Sequence, residues 1–133
     1  MKTIGIIGAM SEEITYLKEK IEIVTTKNII GLDFHVGKYC GNSIVLVISG
    51  IGKVNAAMAA QLCIDRYQPD WMINAGVAGS FRDLPIGTVV VAERFLQHDV
   101  DTSPIGDPVG LVSTVNTLHF PTAVPEKIAA FLE

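Results

Sequence analysis

The eleven residues Thr3-Ile4-Gly5-Ile6-Ile7-Gly8-Ala9-Met10-Ser11-Glu12-Glu13 decide how this chain is read. Thr3 to Ile7 reads as a strand, short and apolar. Gly8-Ala9-Met10 breaks the run, and Ser11 is well placed as the N-cap of a helix. Ile14, Leu17 and Ile21 then recur at helical spacing while Lys18, Glu19 and Lys20 take the wet side. A strand, a glycine turn and an amphipathic helix in that order predict a helix lying on the sheet of an α/β fold.

The same pattern returns further along the chain. Ser43 to Ser49 is a strand-like run that ends in Gly50-Ile51-Gly52, followed by a predicted helix over Lys53 to Tyr67. Val54, Met58 and Leu62 form its apolar stripe, its alanines permit close approach to a sheet, and Pro69-Asp70 stops it. Trp71 to Ala75, again apolar, runs into Gly76-Val77-Ala78-Gly79. Between the first helix and these elements lie Ile21 to Thr26 and Leu32 to Tyr39, with Gly31 and Gly41-Asn42 as punctuation, so an antiparallel meander joins the parallel strands. Thr88 to Ala92 is a further apolar run predicted as a strand. Phe95 to Pro121 reads as a long loop region, and Pro125 as the first residue of a helix carrying Ile128, Phe131 and Leu132. The expectation is one α/β domain over residues 1–133, a mixed central sheet flanked by helices.

Composition narrows the function. The 133 residues hold 10 basic and 14 acidic side chains, a formal charge of -4, so no basic face is available in bulk for a nucleic acid. Charged residues are only 18% and the mean hydropathy is +0.40, which points to a sheet buried on both faces or to apolar surface meant for other protein. Two complete helices and the start of a third are few for such a sheet, so one face is expected to be short of cover and the chain to associate. Cys40 and Cys63 form no CxxC and have no histidine at ligand spacing, so neither a disulfide framework nor a zinc site is indicated and a reducing cytoplasm fits. Lys2 and the apolar stretch after it imitate a signal peptide, but Ser11-Glu12-Glu13 cuts the stretch short. No run approaches the ~18 apolar residues of a membrane span.

Three strands leading into glycine turns suggest a small-molecule pocket, because ligands in open α/β sheets sit beyond the carboxyl ends of strands. Any one of these turns by itself is explained as a tight βα connection. Glu12 and Glu13 stand in the first turn of the first helix, where acidic residues complement the helix dipole; a carboxylate there can also reach the pocket as a general base. His98, Asp99 and Asp101 crowd a predicted loop with no further ligand at metal spacing, and a hydrogen-bonded loop anchor explains them. His35 and His119 stand out in no pattern. Gly5-Ile6-Ile7-Gly8 lacks the full GxGxxG of a dinucleotide site.

Four stretches in order carry a resemblance: Ile4-Gly5-Ile6-Ile7-Gly8-Ala9-Met10 with Ser11-Glu12-Glu13, Ser49-Gly50-Ile51-Gly52-Lys53-Val54-Asn55-Ala56-Ala57, Ile73-Asn74-Ala75-Gly76-Val77-Ala78-Gly79, and His98-Asp99-Val100-Asp101-Thr102. Together they resemble the bacterial 5′-methylthioadenosine/S-adenosylhomocysteine nucleosidases of the nucleoside phosphorylase superfamily. The resemblance implies hydrolysis of the N-glycosidic bond of 5′-thioadenosines to adenine and a thioribose, without cofactor or metal, by cytoplasmic homodimers.

Position by position, the resemblance implies that Glu13 orients and activates the attacking water, with Glu12 as its neighbour facing elsewhere. Ala9, Met10 and Ile51 match residues around the ribose and the 5′-alkylthio group. Val77, Ala78 and Gly79 match the turn beside the base, where many relatives carry Ser or Thr in place of Val77. Thr102 and Ile105 match loop positions that close the partner's thioalkyl pocket, where relatives often have Val and an aromatic. Relatives continue for almost as long again, so the chain is expected to be the N-terminal portion of a longer nucleosidase domain. The proton donor to adenine, the pair gripping the ribose hydroxyls and the aromatic that stacks on adenine belong to that further half, and the chain alone is expected to be nearly inert. A phosphorylase of the same superfamily would need arginines at the phosphate, and neither Arg82 nor Arg94 follows that pattern. A noncatalytic nucleotide-binding or assembly module is the reading from another class.

Overall fold

A computed structural model describes residues 1–123, which divide into two compact units, Met1–Phe81 and Arg82 onward. The first holds five strands and two helices in the order β1 (Thr3–Gly8), α1 (Ser11–Lys20), β2 (Glu22–Ile29), β3 (Leu32–Tyr39), β4 (Asn42–Ile48), α2 (Lys53–Tyr67) and β5 (Trp71–Asn74). They form one sheet in the order β2-β3-β4-β1-β5. β1 runs parallel to β4 and β5, and β2-β3-β4 is the antiparallel meander, so the sheet is mixed as expected.

Both hairpin turns follow from backbone conformation. Ile30 and Gly31 have φ of 47° and 86°, and Cys40 and Gly41 have 45° and 75°. Two consecutive left-handed residues twist a hairpin the way its strands twist. The first of these turns is only two residues long, so Lys27, Asn28 and Ile29 stay in the ladder opposite Phe34, Asp33 and Leu32. β2 is therefore longer than the expected Ile21 to Thr26.

The two helices bury opposite faces of the sheet. On one, Ala59 and Cys63 of α2 close over Ile7, Phe34, Val45 and Val47. Gly5 permits that approach: a Cβ there would lie 2.4 Å from Met72 Sδ and 3.0 Å from Cys63 Sγ. On the other, Ile14 of α1 packs with Ile6, Ile21, Ile44 and Leu46. Each such side chain contributes about 1.5–3 kcal/mol on burial. α1, ten residues long, leaves the β5 end of its face bare. Trp71 and Ile73, in register with Ile4 and Ile6 on that face, remain 39% and 44% exposed, while Met72 packs partly against the α2 cluster. The shortage of cover thus falls on the α1 face, at β5.

The second unit is built differently from the expected strand-plus-loop. Thr88 to Ala92 forms no strand, and Val89, Val90 and Val91 are exposed. An apolar run becomes a buried strand only where a neighbouring strand takes up its backbone groups, and among the described residues none pairs with it. The unit is held instead by β6 (Arg94–Phe95) against β7 (Phe120–Pro121), an isolated bridge between Val112 and Thr117, and 3₁₀ turns at Ser103–Ile105 and Ser113–Val115. Gly110, at φ 89°, donates its N–H to the Val100 carbonyl at 2.7 Å. The predicted helix from Pro125 lies outside the described residues.

Candidate active site

Because β4, β1 and β5 are parallel neighbours, the three glycine turns emerge side by side at the carboxyl ends of these strands. Ser49 N–H donates to the Gly8 carbonyl at 2.9 Å, and Ala75 N–H to the Ile7 carbonyl at 2.9 Å, so the ladder holds the turns together as it ends. Ser49 is buried, and its hydroxyl donates to the Gly50 carbonyl at 2.8 Å.

α1 starts one residue earlier in its capping than expected: Met10, not Ser11, is the N-cap, and the Ser11 hydroxyl turns to Glu12 Oε2 at 3.0 Å. The reason is Glu13. At the third helical position its side chain folds back over the turn, and Oε2 accepts the N–H groups of Ala9 at 2.8 Å and Met10 at 3.0 Å. That is the glutamate half of a capping box. Oε1 reaches across to the turn after β5 and accepts the Val77 N–H at 3.0 Å. One carboxylate therefore ties two glycine turns together. These N–H groups, Val77 foremost and then Met10 and Ala9, hold the Glu13 carboxyl below its ordinary range against an opposing desolvation. Glu12 is also lowered, by its own backbone N–H and the Ser11 hydroxyl, and it is exposed.

A carboxylate offers about four lone-pair sites, and three of those on Glu13 are filled by these amides. The remaining one, on Oε1, has no partner among the described residues. Ala9 and Met10 are half-buried beside it, while Val77, Ala78 and Gly79 are exposed. Ile51 is exposed too, at the tip of a turn where Gly50 and Gly52 have φ of 84° and 107°. Asn55 secures that turn, its side-chain amide donating to the Ile51 carbonyl at 2.8 Å. Asn55 and Gly76 are residues that sequence reasoning did not single out. The signal for Asn55 was an amide side chain four residues after Ile51, and for Gly76 a glycine opposite an acidic helix start.

Thr102 and Ile105 belong to the second unit, in and beside the 3₁₀ turn. The Thr102 hydroxyl donates to Asp107 Oδ2 at 2.9 Å, Ile105 is exposed, and Asp101 Oδ1 accepts the Ser103 N–H at 2.9 Å. Asp101 is thus a loop anchor, its carboxyl lowered by Ser103. Among the described residues no cluster of His, Cys, Asp or Glu could hold a metal ion. His35 is buried, its Nδ1 2.8 Å from the Thr26 hydroxyl. No helix among the described residues is long and apolar enough to cross a membrane.

This mixed sheet, with parallel strands ending in adjoining glycine turns, falls within the match to the phosphorylase superfamily. The family model of that name matches residues 3–132, and the chain belongs to this family. Among curated relatives, the 5′-methylthioadenosine/S-adenosylhomocysteine nucleosidase of Bacillus subtilis is 40% identical over 131 residues, 98% of this chain and 55% of its own length. Among solved structures, the nucleosidase of the same name from Colwellia psychrerythraea, in complex with adenine, superposes with a TM-score of 0.89 at 39% identity, covering 97% of this chain and 53% of that one. The Neisseria meningitidis nucleosidase in complex with methylthio-immucillin-A gives 0.91 at 34% identity, covering 100% of this chain and 60% of that one. The chain spans about half the length of the curated relatives it matches.

Proposed function

We propose that this chain is the N-terminal part of a longer α/β nucleosidase domain, both of its units included, that hydrolyses the N-glycosidic bond of 5′-methylthioadenosine and S-adenosylhomocysteine. The observation that carries the reading is the Glu13 carboxylate, held ionised by amides of two turns with one lone pair left over. In the reaction a water donates one hydrogen bond to that lone pair. As the bond from the sugar C1′ to adenine N9 breaks, the water oxygen attacks C1′ and its proton passes to Glu13, while adenine leaves with a proton supplied from the other half of the domain. The sugar carbon carries oxocarbenium character on the way, so a fixed anion and a fixed water beneath it lower the barrier. Ala9, Met10 and Ile51 would line the ribose and the 5′-alkylthio group, and Val77, Ala78 and Gly79 the base. Thr102 and Ile105 would close the thioalkyl pocket of a second copy in a cytoplasmic homodimer. The chemistry calls for no cofactor and no metal.

Phosphorolysis is the alternative within the superfamily. It is disfavoured because the Ala9, Met10 and Val77 amides are already taken by an anionic side chain, which would repel a phosphate beside them. The test is adenine release from methylthioadenosine, with and without inorganic phosphate. It is run on this chain and on a chimera that continues it with the remaining part of the Bacillus subtilis relative. The chimera should release adenine and free thioribose at a rate indifferent to phosphate, and the chain alone should be nearly inert. Release that requires phosphate, with a sugar 1-phosphate as product, would establish the phosphorylase. Ligand binding by the chimera without turnover would establish a noncatalytic module.

A further inference from the structure

Gly76 is the first residue of the turn that supplies the Val77 N–H, and its surroundings are unlike those of the other turn glycines. A Cβ placed there would lie 2.9 Å from Glu13 Oε1, 3.4 Å from Glu13 Cδ and 3.6 Å from Glu13 Oε2, so its three nearest atoms all belong to the candidate base. Gly50 and Gly52 have positive φ, which by itself explains a glycine. Gly76 does not, so its backbone would accept an alanine and the missing side chain answers a need for space. Gly79, three residues on, has open space where its Cβ would be.

We infer that Gly76 is a positioning residue: the absence of a side chain lets the Glu13 carboxylate settle on the Val77 N–H, and any larger residue would push it off that donor and away from the water it must hold. The inference rests on the reading of Glu13 as the base. The contact at risk is the 3.0 Å bond from Val77 to Oε1. Oε1 is also the oxygen with the unused lone pair, so moving it displaces the water directly. The bonds of Ala9 and Met10 to Oε2 are made from the other turn and can persist, which leaves the helix start intact. The effect should therefore fall on turnover and not on folding.

The experiment is a double-mutant cycle of Gly76→Ala and Glu13→Gln in the chimera, with the Glu13 carboxyl followed by NMR in this chain. A carboxylate displaced by about an ångström from a reacting water typically costs up to 10²-fold, so Gly76→Ala should lower kcat roughly 10- to 100-fold. KM should change by less than about threefold, and the acid limb of the kcat/KM profile should move to higher pH, because the donor that lowers Glu13 most is lost. In the Glu13→Gln background Gly76→Ala should cost nothing more, a non-additivity that a merely structural role would not produce. In the unaltered chain the Val77 amide proton should titrate together with the Glu13 carboxyl, which keeps the inference testable if the alanine variant does not fold. A Gly76→Ala protein with kcat within about twofold of the parent, an effect that persists undiminished in Glu13→Gln, or a Val77 amide indifferent to Glu13 ionisation overturns the inference. If Glu13→Gln itself turns over normally, the assignment of the base falls and the inference falls with it.

Discussion

Replacing Glu13 with glutamine keeps the side-chain length but removes an acceptor where three backbone donors converge. A carboxylate can accept from Ala9 and Met10 on one oxygen and from Val77 on the other, with a lone pair to spare. An amide has one oxygen with two acceptor sites and an NH₂ that only donates. If its oxygen stays with Ala9 and Met10, its NH₂ faces the Val77 N–H, donor against donor, and offers hydrogens to the water where a base is needed. The reverse orientation strands two amides instead of one. In either case the proton leaving the water has no acceptor, so kcat of the chimera should fall about 10²- to 10⁴-fold with KM within about threefold. Adenine release measured by absorbance reads this directly. Glu12→Gln should stay within about twofold, because the exposed Glu12 carboxyl meets its own backbone N–H and the Ser11 hydroxyl. The acid-side midpoint of the parent's kcat/KM profile should lie below the ordinary glutamate value, since the turn amides keep the carboxyl ionised to lower pH. Equal costs for the two substitutions, or a greater cost for Glu12, would refute the assignment.

Three further outcomes follow from the packing. Cys40 is exposed and Cys63 buried, its thiol pushed up to about 11 by burial, so a thiol reagent at neutral pH should modify Cys40 alone in the native chain and both cysteines in denaturant. Phe34 is wholly buried and its ring lies 5.6 Å from that of Tyr67; Phe34→Ala should lower the unfolding free energy by about 3–5 kcal/mol in urea titrations. His35 is lowered by burial and by Lys18, with Asp33 opposing, so the unfolded chain binds its proton first as the pH drops; stability should decline as pH falls below about 6.5, and His35→Gln should remove that decline.

The elements legible in the sequence were those whose signal is local. α2 has the predicted bounds, Lys53–Tyr67, because its alanines lie within it and Pro69 follows it, although its buried face is Ala59 and Cys63 and Val54 of the expected stripe is exposed. β3 likewise has its predicted bounds, set by a turn at each end. Where a boundary depended on one particular side-chain bond, residue preference placed it wrongly or short. Ser11 has the right chemistry for an N-cap, yet the amides of the preceding turn are satisfied by Glu13 from inside the helix, so Met10 takes the cap and Ser11 becomes the first helical residue. The glutamate's structural and chemical readings, which spacing set against each other, describe one arrangement: the same bonds that start the helix hold the carboxylate ionised beside the turns.

Thr88 to Ala92 shows the opposite limit. Its valines carry the strand preference in full, but that preference is a fit to a pleated, half-buried surface and not a property the segment holds alone. β1 realises it because β4 and β5 flank it on both sides and α1 and α2 cover its faces. Thr88–Ala92 has no neighbouring strand paired with it among the described residues, so the same kind of apolar run stands exposed. Glu13 escapes this dependence on context through a different route. Its three donors come from turns whose positions are fixed by the β4-β1-β5 ladder, which is complete within the first unit. The Glu13 carboxylate is therefore set in place within this unit. In the function proposed above, attack on the sugar is prepared at Glu13, and the proton for the departing adenine comes from the rest of the domain.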